Sequence, residues 1–138
     1  MAKLFNLEII TPQGLFLQEE VESLTIKLSS GYRTFLANHL SLIGAIEYDE
    51  MHIMKNNNYS YFAVHGGIIN VTNEKITLLV NNIEKFEDID LERALKAKER
   101  ALQRLQSKDP NIDIKRAQLA LNKSLARINT VNYQNKKI

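Results

Sequence analysis

The sequence has no cysteine, no tryptophan, two prolines and five glycines in 138 residues. Without cysteine there is no disulfide, no thiolate metal site and no cysteine nucleophile, and a reducing cytoplasm fits best. No apolar run approaches the roughly 18 residues of a membrane-spanning helix. Lys3 and Glu8 place charge where a signal peptide needs an apolar block. The expected protein is soluble, without direct membrane insertion, and small enough to be one ordinary domain or two small ones.

Catalytic frames are missing as well. His39, His52 and His65 have no second histidine at helical spacing, so no metal site is expected. His39 and His65 are expected to satisfy backbone groups in turns. Gly66-Gly67 lies between two strand-like runs with no helix start to receive a phosphate, and is expected to be a bulge or a close backbone approach. The acidic pairs Glu19-Glu20, Asp49-Glu50 and Glu87-Asp88 are expected as solvated charge on turns. No serine elbow or phosphate-binding loop appears, and no catalytic residue is assigned.

Charge is present in nearly equal amounts, 18 Lys and Arg against 16 Asp and Glu, but it is unevenly spread. Residues 1–88 carry 6 basic and 11 acidic groups, net −5; residues 89–138 carry 12 and 5, net +7. The texture of the chain changes at the same point. Before it, short apolar runs are broken by Gly, Asn, Asp and Ser: Phe5 to Ile9, Val21 to Leu28, Leu40 to Ile46, Met51 to Met54, Tyr59 to Val64, Gly67 to Val71 and Ile76 to Val80. Turns are expected at Thr11-Pro12-Gln13-Gly14, Asn56-Asn57-Asn58 and Thr72-Asn73-Glu74. So many short strands imply a β-sandwich or barrel.

After position 88 the apolar period becomes helical and Ala, Leu, Lys, Arg, Glu and Gln dominate. A first helix opens at Asp88-Ile89-Asp90, with Leu91, Ala94, Leu95, Ala101, Leu102 and Leu105 on one stripe. Residues 107–111 break it. The second carries Ile114, Ala117, Leu121, Leu125 and Ile128, followed by a polar tail from Asn129. The short connection makes an antiparallel hairpin, and its narrow, Ala-rich stripes need another surface to lean on. The domains expected are therefore 1–88, a sandwich, and 89–138, a helical hairpin.

Each helix opens on the same pattern, Ile-Asp-x-x-Arg-Ala, at residues 89–94 and again at 112–117. The Asp suits a helix cap and the Arg lies one turn on. Arg93, Arg100 and Arg104 line one side of the first helix, with Arg116, Lys123 and Arg127 along the second. Such stripes call for an acidic or phosphate partner. Charge alone would also suit a nucleic-acid-binding module, but Tyr133 is the only aromatic beyond residue 88, so base stacking lacks its platform and no nucleic-acid partner is expected.

Together with Thr11-Pro12-x-Gly14, Val21-Glu22-Ser23, Asn38-His39-x-Ser41-Leu42, Gly66-Gly67, Val71-x-Asn73 and Ile76-Thr77-Leu78-Leu79, the run from Glu84 through Arg93-Ala94 resembles the epsilon subunit of bacterial F-type ATP synthases over essentially the whole chain. The resemblance implies a non-catalytic rotor subunit on the cytoplasmic face of the membrane, peripheral to it. Its sandwich would sit beside the gamma subunit and the membrane c-ring, and its hairpin would fold down or extend toward the catalytic alpha/beta hexamer to restrain hydrolysis. No cofactor is required. Relatives that bind regulatory ATP do so with a pattern that maps onto Glu84, Ile89, Asp90, Arg93, Ala94, Arg100 and Arg127. Position 123 is Lys where they carry Arg. Lys115, Arg116, Lys123 and Arg127 are the expected inhibitory contacts with the catalytic subunits. Gly31, Tyr32, Arg33, Asn38 and His39 belong to the expected loop facing gamma or the ring. Residues 31–37, Gly-Tyr-Arg-Thr-Phe-Leu-Ala, depart from the family's Gly-Glu-Leu-Gly-x-Leu-Pro, which leaves open an F-type-like ATPase uncoupled from ion translocation. A freestanding nucleotide sensor is the other alternative.

Overall fold

A computed structural model describes residues 3–136. The strands are β1 (Phe5–Thr11), β2 (Gly14–Val21), β3 (Ser23–Leu28), β4 (Gly31–Phe35), β5 (Leu42–Lys55), β6 (Asn58–Val71), β7 (Lys75–Val80) and β8 (Ile83–Lys85). A 3-10 turn at Phe86–Asp88 leads into α1 (Leu91–Gln106) and α2 (Ile114–Lys136). The fold is a β-sandwich followed by an antiparallel helical hairpin, as the change of period implies.

The runs expected as separate strands from Leu40 to Met54 and from Tyr59 to Val71 are instead parts of two long strands, β5 and β6, of 14 residues each. They pair antiparallel from Leu42↔Val71 to Lys55↔Asn58. Their tight connection places Asn56 and Asn57 at φ 54° and 63°, a conformation asparagine tolerates better than most side chains. One end of this ribbon continues into β7, β1 and β2, with β1 parallel to β7. The other carries β8 on β6 and β3 and β4 on β5. Between them Leu7, Ile9, Leu24, Ile26, Met51, Ile69, Ile76 and Leu78 are fully buried.

Gly66-Gly67 is where β6 changes partners. Gly67 pairs with Val80 of β7, and an added Cβ there would stand 2.2 Å from the Leu79 carbonyl oxygen. This is the close backbone approach expected of the pair. The Asn81 N–H then donates to the Gly66 carbonyl at 3.0 Å and the His65 N–H to Asn82 at 2.9 Å, after which β8 takes over alongside Phe62–Val64.

Three expectations for the sandwich fail. Asp49 and Glu50 are not solvated turn residues: they lie within β5 at 8% and 1% exposure. Asp49 receives the Glu50 N–H at 2.7 Å, the Asn129 amide at 3.2 Å and the Lys27 ammonium at 3.5 Å, while Glu50 faces His52 Nδ1 at 2.6 Å. The side-chain partners of Asp49 are distant in sequence and Glu50 is buried by its own strand, which is why local polarity misled. Second, Tyr32 and Arg33 are strand residues of β4, paired with Lys27 and Ile26. Asn38 and His39 do lie in the following loop, where His39 ring nitrogens sit 2.7 Å and 2.8 Å from the Leu36 and Thr72 carbonyls. Third, Glu19 and Glu20 are not on a turn but within β2, where Glu19 Oε2 lies 3.6 Å from the Lys55 ammonium.

Both helices open as the repeated pattern requires. Asp90 accepts the Arg93 N–H at 3.1 Å and Asp113 accepts that of Arg116 at 3.0 Å, so each Asp is an N-cap. The Ala that ends each pattern, Ala94 or Ala117, is buried, as are Ala101 and Ala126. Leu95 of the expected stripe is instead 47% exposed, because the helices approach through alanines. The polar tail expected from Asn129 is helical to Lys136 and docked: Thr130 and Val131 are buried, and Tyr133 stacks on His52 at 4.9 Å. Thr130 also directs its hydroxyl toward the Phe62 carbonyl at 3.2 Å.

Two glycine substitutions separate steric clash from backbone strain. Gly67→Ala should lower unfolding free energy by about 3 kcal/mol or more. Gly14→Ala, with a similar positive φ but open space around the new methyl, should cost about 1–2 kcal/mol. Urea unfolding of both variants measures the difference.

Candidate nucleotide cleft

The 3-10 turn, both helices and β8 enclose a cleft of about 330 Å³ lined by Glu84, Asp88, Asp90, Arg93, Ala94, Ala97, Arg100 and Arg127. Its size suits a small organic ligand. Six of the residues expected to contact a nucleotide thus converge on one cavity. The seventh, Ile89, does not line it; its N–H donates to the Phe86 carbonyl at 3.1 Å and closes the 3-10 turn.

Glu84 is the hinge of the arrangement. Its Oε1 accepts from His65 Nε2 at 2.7 Å and from Arg127 Nε at 2.6 Å, so one carboxylate oxygen joins β6, β8 and α2. Burial acts to raise the Glu84 pKa, but the hydrogen bonds from His65 and Arg127, with their charge, prevail and hold it below its ordinary value. Arg93 and Arg100 extend from exposed positions on α1 and make no ion pair among the described residues. Their guanidinium groups are the available anion-binding donors at the cleft.

A second, smaller hollow of about 280 Å³ repeats the motif at the other end of the hairpin, lined by Arg104, Asn111, Ile112, Asp113, Arg116 and Ala117. Lys115 and Arg116 are exposed, whereas Lys123 is half-buried and lines neither cavity. Arg127, expected as part of a free cationic stripe, is committed to Glu84.

Several partners escaped sequence reasoning. His65 is wholly buried within β6 and bonded to a side chain, not to a turn carbonyl as expected. Tyr32 turns toward the end of α2 beside Asp49; burial and the nearby Asp49 and Glu50 carboxylates push its pKa up. The +7 and −5 split hinted only at the contacts between the two parts, such as Arg127 with Glu84. Among the described residues no three His, Asp or Glu side chains are grouped to hold a metal, and no helix is long and apolar enough to cross a membrane.

A β-sandwich carrying a capped two-helix hairpin defines a recognisable class of domain pair. Residues 4–86 match the ATP synthase delta/epsilon chain β-sandwich domain and residues 87–132 the long α-helix domain of the same chains. The ATP synthase epsilon chain of Desulfitobacterium hafniense is 40% identical over 129 residues, covering 94% of this chain and 97% of that one. That of Bacillus cytotoxicus is 36% identical over 130 residues, covering 94% and 98%. A chain in the mitochondrial ATP synthase of Euglena gracilis shares the fold with a TM-score of 0.80 at 22% identity, over 88% of this chain and 77% of its own. The chain belongs to the ATP synthase delta/epsilon family, as an epsilon chain.

Glu84 generates a pH prediction. Because its folded pKa is depressed, its stabilising contribution is complete above the unfolded carboxyl value and is lost as pH falls through the lower folded one. Glu84→Gln should therefore be less stable than the parent by about 1 kcal/mol at neutral pH, and the gap should shrink below about pH 4. Thermal unfolding of both proteins between pH 7 and pH 3 checks this.

Proposed function

We propose that this chain is a non-catalytic central-stalk subunit of an F-type ATP synthase, and that its hairpin is a nucleotide-controlled brake on hydrolysis. The sandwich binds gamma and reaches the c-ring. The hairpin, docked as observed, leaves the alpha/beta hexamer free, and extended it presents Lys115, Arg116 and Lys123 to acidic surfaces there. The complex places the chain peripherally on the cytoplasmic face of the membrane.

The observation that carries the regulatory half of this reading is the cleft. Two unpaired arginines of α1 face Arg127 of α2 across a cavity of about 330 Å³, at the seam that extension would open. A triphosphate bridging them gains contacts only in the docked state, so ATP favours the docked, permissive hairpin. Charge-assisted contacts of about 1.5–3 kcal/mol each, less the cost of ordering, give affinity in the micromolar to millimolar range.

Titration calorimetry of the full chain with ATP is expected to show binding in that range, weakened about ten-fold or more by Arg93→Ala or Arg100→Ala. Absence of heat at millimolar ATP overturns the nucleotide reading. The subunit assignment is tested separately: tagged chain recovered from native membranes should bring gamma, alpha and beta. Removing residues 89–138 from the assembled complex should raise hydrolysis most at low ATP and low salt. A chain recovered alone would instead be a freestanding sensor.

A further inference from the structure

We infer that His65 is a positioning residue for the nucleotide cleft and that it couples ligand affinity to pH. The inference rests on the reading of the cleft as an ATP site. His65 itself lines no part of the cavity. It stands behind Glu84, with no solvent exposure, and its Nε2 shares Glu84 Oε1 with the Arg127 guanidinium, at 2.7 Å and 2.6 Å. An ionised carboxylate only accepts, so Nε2 carries the proton and donates. The other ring nitrogen, Nδ1, is buried and has no hydrogen-bond partner among the described residues. A further proton at Nδ1 would change the charge of the triad without breaking either hydrogen bond to Glu84.

The groups around the imidazole decide what that proton does. From β8 it faces Glu84; from α2, through the same oxygen, Arg127; from β5, the Tyr48 ring at 6.0 Å. From the 3-10 turn and α1, Asp88, Asp90, Arg93 and Arg100 lie beyond Glu84 on the cleft. With His65 neutral, Glu84 and Arg127 cancel each other and Arg127 is half-spent on the carboxylate. With His65 protonated the triad carries a net positive charge. The imidazolium then takes over as counter-ion to Glu84, and the Arg127 guanidinium is freer to meet a phosphate. An anionic ligand therefore binds the protonated form more tightly, and by reciprocity binding draws a proton onto His65.

The expected size is set by one unit charge acting through a partly solvated seam, about five-fold in affinity. ATP affinity of the full chain is measured by calorimetry from pH 8 to pH 6 for the parent and for His65→Gln, which keeps a donor to Glu84 but cannot titrate. Free ATP changes its own protonation equally for both, so the ratio of their affinities isolates His65. That ratio is expected to shift about five-fold toward the parent as pH falls. Should the variant fail to fold, the imidazole NMR titration of the parent serves instead: one of the three histidine signals should move its midpoint upward when ATP is saturating. Binding whose pH profile is identical in parent and variant, or imidazole midpoints indifferent to ATP, overturns the role of His65 alone. No ATP binding at any pH overturns the nucleotide reading and this inference with it.

Discussion

No atom larger than hydrogen fits at the α-carbon of Gly67 on the side facing Leu79, and the layout of the molecule follows from that restriction. Contact this close lets β6 finish its pairing with β7 at Val80 and then release it. The chain crosses at Asn81 and Asn82, held by backbone hydrogen bonds to Gly66 and His65, and returns as β8 on the same strand it had just left. That return puts Glu84 opposite Ala63, within reach of His65. The acidic anchor of the hairpin is therefore placed by backbone packing on the far side of a strand junction, not by any property of the hairpin.

The two parts of the chain meet through directional polar contacts as well as through apolar side chains and stacked rings. Arg127 reaches Glu84, Asn129 reaches Asp49, and Thr130 reaches a main-chain carbonyl of β6. The sandwich, net −5, offers the acceptors and the helices, net +7, bring the donors. Directional contacts of this kind fix the register of α2 on the sheet. They also exchange readily for contacts with water or with another acidic surface, since each is worth only about a kilocalorie net in its folded setting. A helix held in this way can be both well placed and removable.

How much of this was legible beforehand depended on how local the cause was. The switch from strand to helix near residue 88, the asparagine turn at 56–57 and the Asp caps arise from residues adjacent in sequence, and the close approach at Gly67 from a Gly-Gly pair between two strand-like runs, so all could be read there. The cleft was legible for another reason: six of its lining residues fall within a spaced pattern that resembles a known family, although Ile89 serves the backbone of a turn instead. What escaped was every polar group whose partner lies on another element. Asp49 looked like surface charge because Lys27 and Asn129 are 22 and 80 positions away, and Glu50 because nothing near it in sequence shows that the sheet buries it beside His52. His65 looked like a turn residue because Glu84, its acceptor, belongs to a three-residue strand too short to announce itself. Tyr133 seemed to sit in a polar tail because the ring it stacks on, His52, is in the sheet of the other part of the chain.

The alanine seam between the helices, where Ala94 and Ala101 of α1 and Ala117 of α2 are buried, has a thermal consequence. Methyl groups bury little apolar surface, and the heat-capacity change of separating two surfaces scales with the apolar area exposed. Parting these helices therefore carries a small heat-capacity change, so the enthalpy and entropy of opening drift little as the protein warms or cools. A leucine-packed hairpin would have an opening equilibrium that curves steeply with temperature. This one keeps a nearly constant bias over a moderate range of temperature, leaving its position to be set by chemistry, namely charge and ligand, instead of by heat.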